Sequence, residues 1–221
     1  MDKRKVAEIA AAMKNEGYSV TILADLCRNI MNVSPDLQEI ASGIVMACYL
    51  RAVRSHFQWR GLEADNIIDI RNSTTEEILD QFITLPLNIE DIPGKDIYLK
   101  KMASFPVENG TDAWYPIIDK TRCKECGKCH DFCLFGVYAV ENRQVKVAQP
   151  QNCKNNCPAC ARMCPAKAII FPKYEKSPIN GGIDEEEKYS PEEMDKMYRD
   201  KLRMKLQQRR ASVSLLKNDN R

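Results

Sequence analysis

The sequence predicts an α/β N-terminal domain with a small parallel sheet over residues 1–100, then a cysteine-rich α+β domain over 113–173. A linker and an amphipathic C-terminal helix follow over 174–221. Three observations carry this prediction. Short apolar runs alternate with helical patterns in the first hundred residues, eight of ten cysteines fall in two tandem groups, and composition shifts to proline, glycine and acid in KSPINGGIDEEEKYS.

The first element is a helix, because Val6, Ile9, Ala10 and Met13 recur at helical spacing and Gly17 supplies a stop. The N-terminus is basic, but Glu8 and Lys14 interrupt its apolar stretch, so no signal-peptide core forms. The longest apolar run, GIVMACYL from Gly43, is too short to span a bilayer, and no membrane span is expected. A cytoplasmic protein with reduced thiols is the expectation. A net charge of +2 and sparse aromatics give no evidence for nucleic acid.

YSVTILA, GIVMACY and DNIIDI read as three strands separated by helical segments, the grammar of a parallel sheet of flavodoxin or thioredoxin type. RAVRSHFQW is a helix after the second run. TTEEILDQF is another, with Ser73 or Thr74 as N-cap. In such sheets chemistry gathers at strand carboxyl ends, where Cys27, Cys48 and Arg71 fall. Cys48 precedes a helix carrying Arg51 and Arg54, which would lower its thiol pKa. The alternative for Cys48, and the reading for Cys27, is buried packing. His56 reads as a helix-surface or core histidine.

In the second domain PIID and AIIF are short flanking strands, and VYAVENRQVKV is a hairpin turning near Glu141, Asn142 and Arg143. Cys123, Cys126, Cys129 and Cys133 are spaced C-x2-C-x2-C-x3-C. Cys153, Cys157, Cys160 and Cys164 are spaced C-x3-C-x2-C-x3-C-P. Three thiolates on a short loop suit three irons of a cubane, and the fourth iron needs a thiolate from elsewhere. In paired runs the fourth cysteine ligates the other cluster. Four-cysteine zinc sites instead join two C-x2-C pairs across a longer spacer, which fits poorly here. Phe132, Leu134, Phe135, Met163 and Ile169 are expected to exclude water, and Gly127 to admit close backbone approach. His130 reads as an exposed loop residue.

This spacing resembles bacterial-type ferredoxins with two [4Fe–4S] clusters, over about residues 113–173. The resemblance implies cross-ligation: Cys123, Cys126, Cys129 and Cys164 hold one cluster, and Cys153, Cys157, Cys160 and Cys133 the other. Leu134 departs from the family's usual proline, and the second loop carries one extra residue before Cys157. A second resemblance covers about residues 17–80. Asp25-Leu26-Cys27, Ala47-Cys48-Tyr49-Leu50-Arg51 and Ile70-Arg71-Asn72 look like landmarks in the N-terminal domain of the heterodisulfide reductase polypeptide that holds flavin and iron–sulfur clusters. Leu50 replaces that family's proline, its early cysteine pair and the cysteine after Arg71 are absent, and no G-x-G-x-x-G occurs. No flavin or nucleotide motif is therefore present in this chain.

Ser190-Pro191-Glu192-Glu193 starts the last helix, with Met194, Tyr198, Leu202 and Leu206 as a narrow apolar stripe that packs on its own chain or on a partner protein. The functional expectation is an electron-transfer protein carrying single electrons, as a carrier or as a subunit of a larger redox complex. Its partners would be redox proteins, including one that contains flavin. The alternatives are a thiol-redox enzyme in which the clusters feed Cys48, and a structural or assembly subunit.

Overall fold

The computed structural model describes residues 2–83, 91–105, 113–182, 195–196, 198–200 and 202–207. Helix α1 (Lys3–Asn15) starts at Asp2, whose carboxylate accepts a hydrogen bond from the Arg4 backbone N–H. It buries Ala7 and Ile9–Met13, a wide apolar face that lies on α5 (Thr75–Leu79) and α6 (Lys95–Ala103). Thr74 caps α5 in a full capping box. Its hydroxyl accepts from Glu77 N–H at 3.1 Å, and the Glu77 carboxylate accepts from Thr74 N–H at 2.8 Å.

YSVTILA forms no strand. Val20 leans on the α1/α5 core, while the rest of the segment is exposed or half-buried. With no buried face of period two, nothing compels it into a ladder. The parallel sheet therefore consists of β1 (Val45–Ala47) and β2 (Ile67–Asp69), with Val45 opposite Ile67. Helix α4 (Leu50–Trp59) is the crossover between them. Two short helices, α2 (Leu26–Met31) and α3 (Leu37–Ser42), precede β1, and Asp25 caps α2.

The cysteine-rich unit holds two further two-stranded sheets. β3 (Ile117–Ile118) pairs antiparallel with β6 (Ile169–Ile170). β4 (Tyr138–Glu141) and β5 (Gln144–Val147) form a hairpin whose two-residue turn puts Asn142 and Arg143 at φ +51° and +63°, the conformation that matches strand twist. Each cysteine loop runs into one helical turn, α7 (Lys128–Phe132) or α8 (Ala159–Met163). Each turn ends on its fourth cysteine in nearly the same extended geometry: Cys133 at φ −80°, ψ 109° and Cys164 at φ −72°, ψ 114°. The two tandem cysteine runs thus repeat one backbone pattern.

The N-terminal and cysteine-rich units share a buried seam. Cys27, Ala52, Tyr115, Ile117 and Ile170 form one apolar cluster, with Cys48, Trp59 and Cys153 packed against it. Polar bonds cross the same seam. The Tyr115 hydroxyl donates to the Cys27 carbonyl at 2.5 Å, and the Trp59 indole N–H donates to the Val147 carbonyl at 3.1 Å. Arg51 pairs with the buried Asp119 at 2.8 Å and donates to the Lys167 carbonyl at 2.6 Å.

The segment expected as a linker is docked as far as Gly182. Phe171 N–H donates to the Ile179 carbonyl at 2.7 Å, Asn180 is fully buried, and Gly181 presses on Ala52 of α4. Gly181 has φ +92°, and a Cβ there would stand 2.7 Å from the Ala52 Cβ. The sequence's proline and glycine serve a tight fit here, not slack chain. The expected helix start at Ser190–Glu193 and Met194 lie outside the described residues. Residues 195–196, 198–200 and 202–207 are helical, with Leu202 and Leu206 exposed. Among the described residues no helix is long and apolar enough to cross a membrane.

Candidate metal centres

The first cysteine loop is fixed from both ends. Asp119, just after β3, accepts from the Thr121 N–H and hydroxyl with one carboxylate oxygen and from Arg51 with the other, and its carbonyl accepts from Cys123 N–H. Glu125, in the loop itself, accepts from Val145 N–H at 2.6 Å and from Lys120 at 3.0 Å, which ties the loop to β5. A cavity opens beside it. Cys123, Cys126 and Cys129 line one side and Cys164, from the end of the second repeat, lines the other. Ile118, Val145, Ala168 and Ile169 supply apolar wall, and Gly127, at φ +72°, brings the backbone to the same surface.

Electrostatic coupling among the thiols runs within and between the two groups, since Cys129 feels Cys164, Cys123 and Cys160. Burial pushes Cys129 up to about 12, and Cys164 is its strongest thiol neighbour. Cys123 is also pushed up, by burial first, and it too feels Cys164. At the other end, burial pushes Cys153 up to about 12, with Cys157 and Cys133 adding to it. Cys160 is likewise raised to about 12 by burial, with Cys153 and Cys133 its thiol neighbours. Cys164 lines the cavity with the first triplet, and Cys133 lies within electrostatic reach of Cys153 and Cys160.

Burial alone penalises a thiolate, yet hydrogen-bond donors are already aimed at these sulfurs. Ala168 N–H donates to Cys164 Sγ at 3.4 Å, and the N–H groups of Ala166 and Ile169 also favour its anion. The Tyr138 hydroxyl donates to Cys160 Sγ at 3.1 Å. The indole N–H of Trp114 is buried with no acceptor among the described residues, in the core against which Cys123, Cys129, Cys133, Cys153 and Cys164 pack. Half-buried and buried thiols with donors directed at them, and an indole donor left over, fit ligation of a sulfide-bearing cluster. Among the described residues no three Cys, His, Asp or Glu side chains gather tightly enough for a single metal ion. A cubane spreads its thiolates over four irons and does not require such convergence.

The water-excluding set divides. Met163 and Ile169 are buried, whereas Phe132, Leu134 and Phe135 are exposed, Leu134 at 92%. The chain turns outward after Cys133, and the hairpin core is filled by Tyr138, Val145 and Val147 instead. His130 lies on exposed α7 beside Asp131.

Cys48 departs from expectation. Its thiol is pushed up, chiefly by burial, and the Arg71 guanidinium opposes that only in part. Arg71 lies instead over the Tyr49 ring. Cys27 is buried and raised too, by burial first and then by Cys48 beside it. Packing in the seam accounts for both thiols. His56 is a core residue: Nε2 lies 3.0 Å from the Tyr115 hydroxyl and Nδ1 3.1 Å from the Ala52 carbonyl. Tyr138, Glu125 and Trp114 are site residues that no sequence motif announces. Only the alternation of VYAV points Tyr138 inward.

Three curated relatives resemble part of this chain, all named uncharacterized ferredoxins of Methanocaldococcus jannaschii. One is 54% identical over 67 residues, which is 30% of this chain and 45% of that protein, so the chain spans less than half of its length. A second is 37% identical over 54 residues, 24% of this chain and 86% of that protein. The third is 32% identical over 57 residues, 25% of this chain and 74% of that protein. No protein-family model and no solved structure matches the chain.

Proposed function

The chain belongs to the ferredoxins, and from that premise we propose that it carries single electrons through two [4Fe–4S] clusters in the cytoplasm, as a carrier or as a subunit of a larger redox complex. Its partners are redox proteins, including one that contains flavin. The observation that carries this reading is the shared cavity wall of Cys123, Cys126, Cys129 and Cys164, which come from opposite ends of the two runs.

Cys123, Cys126, Cys129 and Cys164 hold the first cluster, and Cys153, Cys157, Cys160 and Cys133 the second. Each cluster when bound takes up and gives back one electron. The chain's own groups set how readily. The N–H groups around Cys164 and the Tyr138 hydroxyl at Cys160 stabilise added negative charge at the sulfurs. Buried Met163 and Ile169 keep water from the same region. Asp119 and Glu125 hold the first loop in place, so that little rearranges when charge changes.

The test is composition and spectroscopy of anaerobically prepared protein. About eight irons and about eight acid-labile sulfides per chain are expected, with two paramagnetic centres after reduction. Zinc in the thiol sites after anaerobic reconstitution, or about four irons, would defeat the reading.

A further inference from the structure

Arg51 lies in the first turn of α4, in the N-terminal unit, yet its side chain ends in the cysteine-rich unit. Its Nε donates to the Asp119 carboxylate at 2.8 Å, and one terminal nitrogen donates to the Lys167 carbonyl at 2.6 Å. The Arg51 side chain is 15% exposed and that of Asp119 4%, so water screens neither charge well. Lys167 itself is at φ +49°, a conformation that few residues other than glycine adopt, and its N–H closes a tight turn on the Cys164 carbonyl at 3.2 Å.

The Lys167 carbonyl and the Ala168 N–H belong to one peptide group, and a trans peptide points the two in opposite directions. That N–H donates to Cys164 Sγ at 3.4 Å. Guanidinium, peptide and sulfur therefore form one chain of hydrogen bonds. The adjacent strand fixes it in place: Asp119 N–H donates to the Ala168 carbonyl at 2.8 Å, and the Asp119 carbonyl accepts from Cys123 N–H at 3.0 Å. A cation at the carbonyl end polarises the amide and makes its N–H a better donor, because bonds in such a chain reinforce one another. A better donor at Cys164 favours the form of a cluster that carries the extra electron. The Asp119 carboxylate acts with the opposite sign, and Arg122 Nε stands 3.8 Å from it as a second cation.

We propose that Arg51 is a positioning residue through which the N-terminal unit raises the reduction potential of the cluster bound by Cys164, acting through the Lys167–Ala168 peptide. The proposal rests on the two-cluster reading above. Its charge reaches the sulfur without touching it, and the neighbouring Asp119 holds the guanidinium in line. The N-terminal unit is then part of the redox centre as well as a neighbour packed against it.

The experiment is an anaerobic redox titration of the cluster-loaded full-length chain, read by low-temperature EPR, on wild type, Arg51→Met, Arg51→Lys and Asp119→Asn. The signal of the cluster in question is the one lost in Cys164→Ser. Arg51→Met should make that cluster about tenfold harder to reduce relative to the other, which is about 59 mV for one electron. Arg51→Lys keeps the charge and should stay within about threefold of wild type. Asp119→Asn removes the opposing charge and should make the same cluster about threefold or more easier to reduce. Opposite signs in Arg51→Met and Asp119→Asn are what a relay of charge requires, since loosening the loop would shift both variants the same way. An unmoved potential in Arg51→Met, an equal shift of both clusters, shifts of one sign in Arg51→Met and Asp119→Asn, or Arg51→Lys equal to Arg51→Met would overturn the proposal while leaving the clusters assigned. If Arg51→Met fails to hold its clusters, the other two variants decide, and Asp119→Asn at or below the wild-type potential overturns it. Wild-type protein with about four irons would instead overturn the two-cluster function.

Discussion

Replacing Gly181 by alanine should destabilise the protein by about 3 kcal/mol, and the sum can be followed term by term. At φ +92° an alanine pays left-handed strain of about 1–2 kcal/mol. Its Cβ would stand 2.7 Å from the Ala52 Cβ, 3.1 Å from the Ala52 nitrogen and 3.3 Å from its Cα. None of these atoms can rotate away, because they belong to the first turn of α4, so overpacking adds about 1–3 kcal/mol. The stiffer unfolded chain returns about 0.4–1 kcal/mol. For a chain of this size the net loss lowers the melting temperature by about 6–12 °C, read by anaerobic thermal unfolding of the holoprotein at fixed scan rate. Gly61 is the control. It has φ +70° with no atom within 4 Å of a built Cβ, so Gly61→Ala carries strain without collision and should cost about 1 kcal/mol or less. Adding Ala52→Gly to Gly181→Ala should recover about 1–2 kcal/mol of coupling. If Gly181→Ala melts with Gly61→Ala, residues 176–182 are not packed on α4 and the docked segment is wrong.

Two further expectations concern the sites and the seam. Cys164→Ser should remove or convert the cluster that also uses Cys123, Cys126 and Cys129, and Cys133→Ser the other, each leaving about four irons in an intact cubane. Spectra in which Cys164→Ser spares that first cluster would require sequential ligation. His56, fully buried, has its pKa lowered to about 3, burial being the largest cause, so the fold holds it neutral. Its contribution is complete above the unfolded value near 6.5 and erodes as pH falls, by about 2 kcal/mol between pH 7 and pH 5. His56→Gln should flatten that limb in anaerobic denaturant titrations at the two pH values. Coincident limbs would mean that the folded ring takes up a proton.

Local order and spacing were legible. The apolar face of α1, the Thr74 capping box and the VYAVENRQVKV hairpin each follow from a pattern that a single segment satisfies by itself. The one-turn helix before each fourth cysteine was legible too, since the three-residue gap is about one helical turn and each turn ends on Cys133 or Cys164. What escaped depends on partners distant in sequence. YSVTILA has strand-like residues but no buried face opposite them. Cys48 stands before a helix, yet the seam formed with residues 113–171 encloses its thiol and outweighs Arg71. Residues 176–182 carry loop composition, but their glycine and asparagine fit against Ala52 and Tyr49, which no local pattern announces. Leu134 shows the converse: an apolar residue beside a cysteine ligand suggests shielding, and the backbone turns it outward.

The seam between the two units also bears on how the chain is made. Cys27, Ala52 and Trp59 leave the ribosome well before Tyr115, Ile117 and Ile170, the residues that cover them. At about 5–20 residues per second, the interval before Ile170 is synthesised is on the order of 10 s. Through that interval β1, α4 and β2 can close their own βαβ unit, but one side of α4 stays bare and wet. The N-terminal half of the nascent chain is thus born with an adhesive flank, and the cysteine-rich half arrives as the cover that makes it safe.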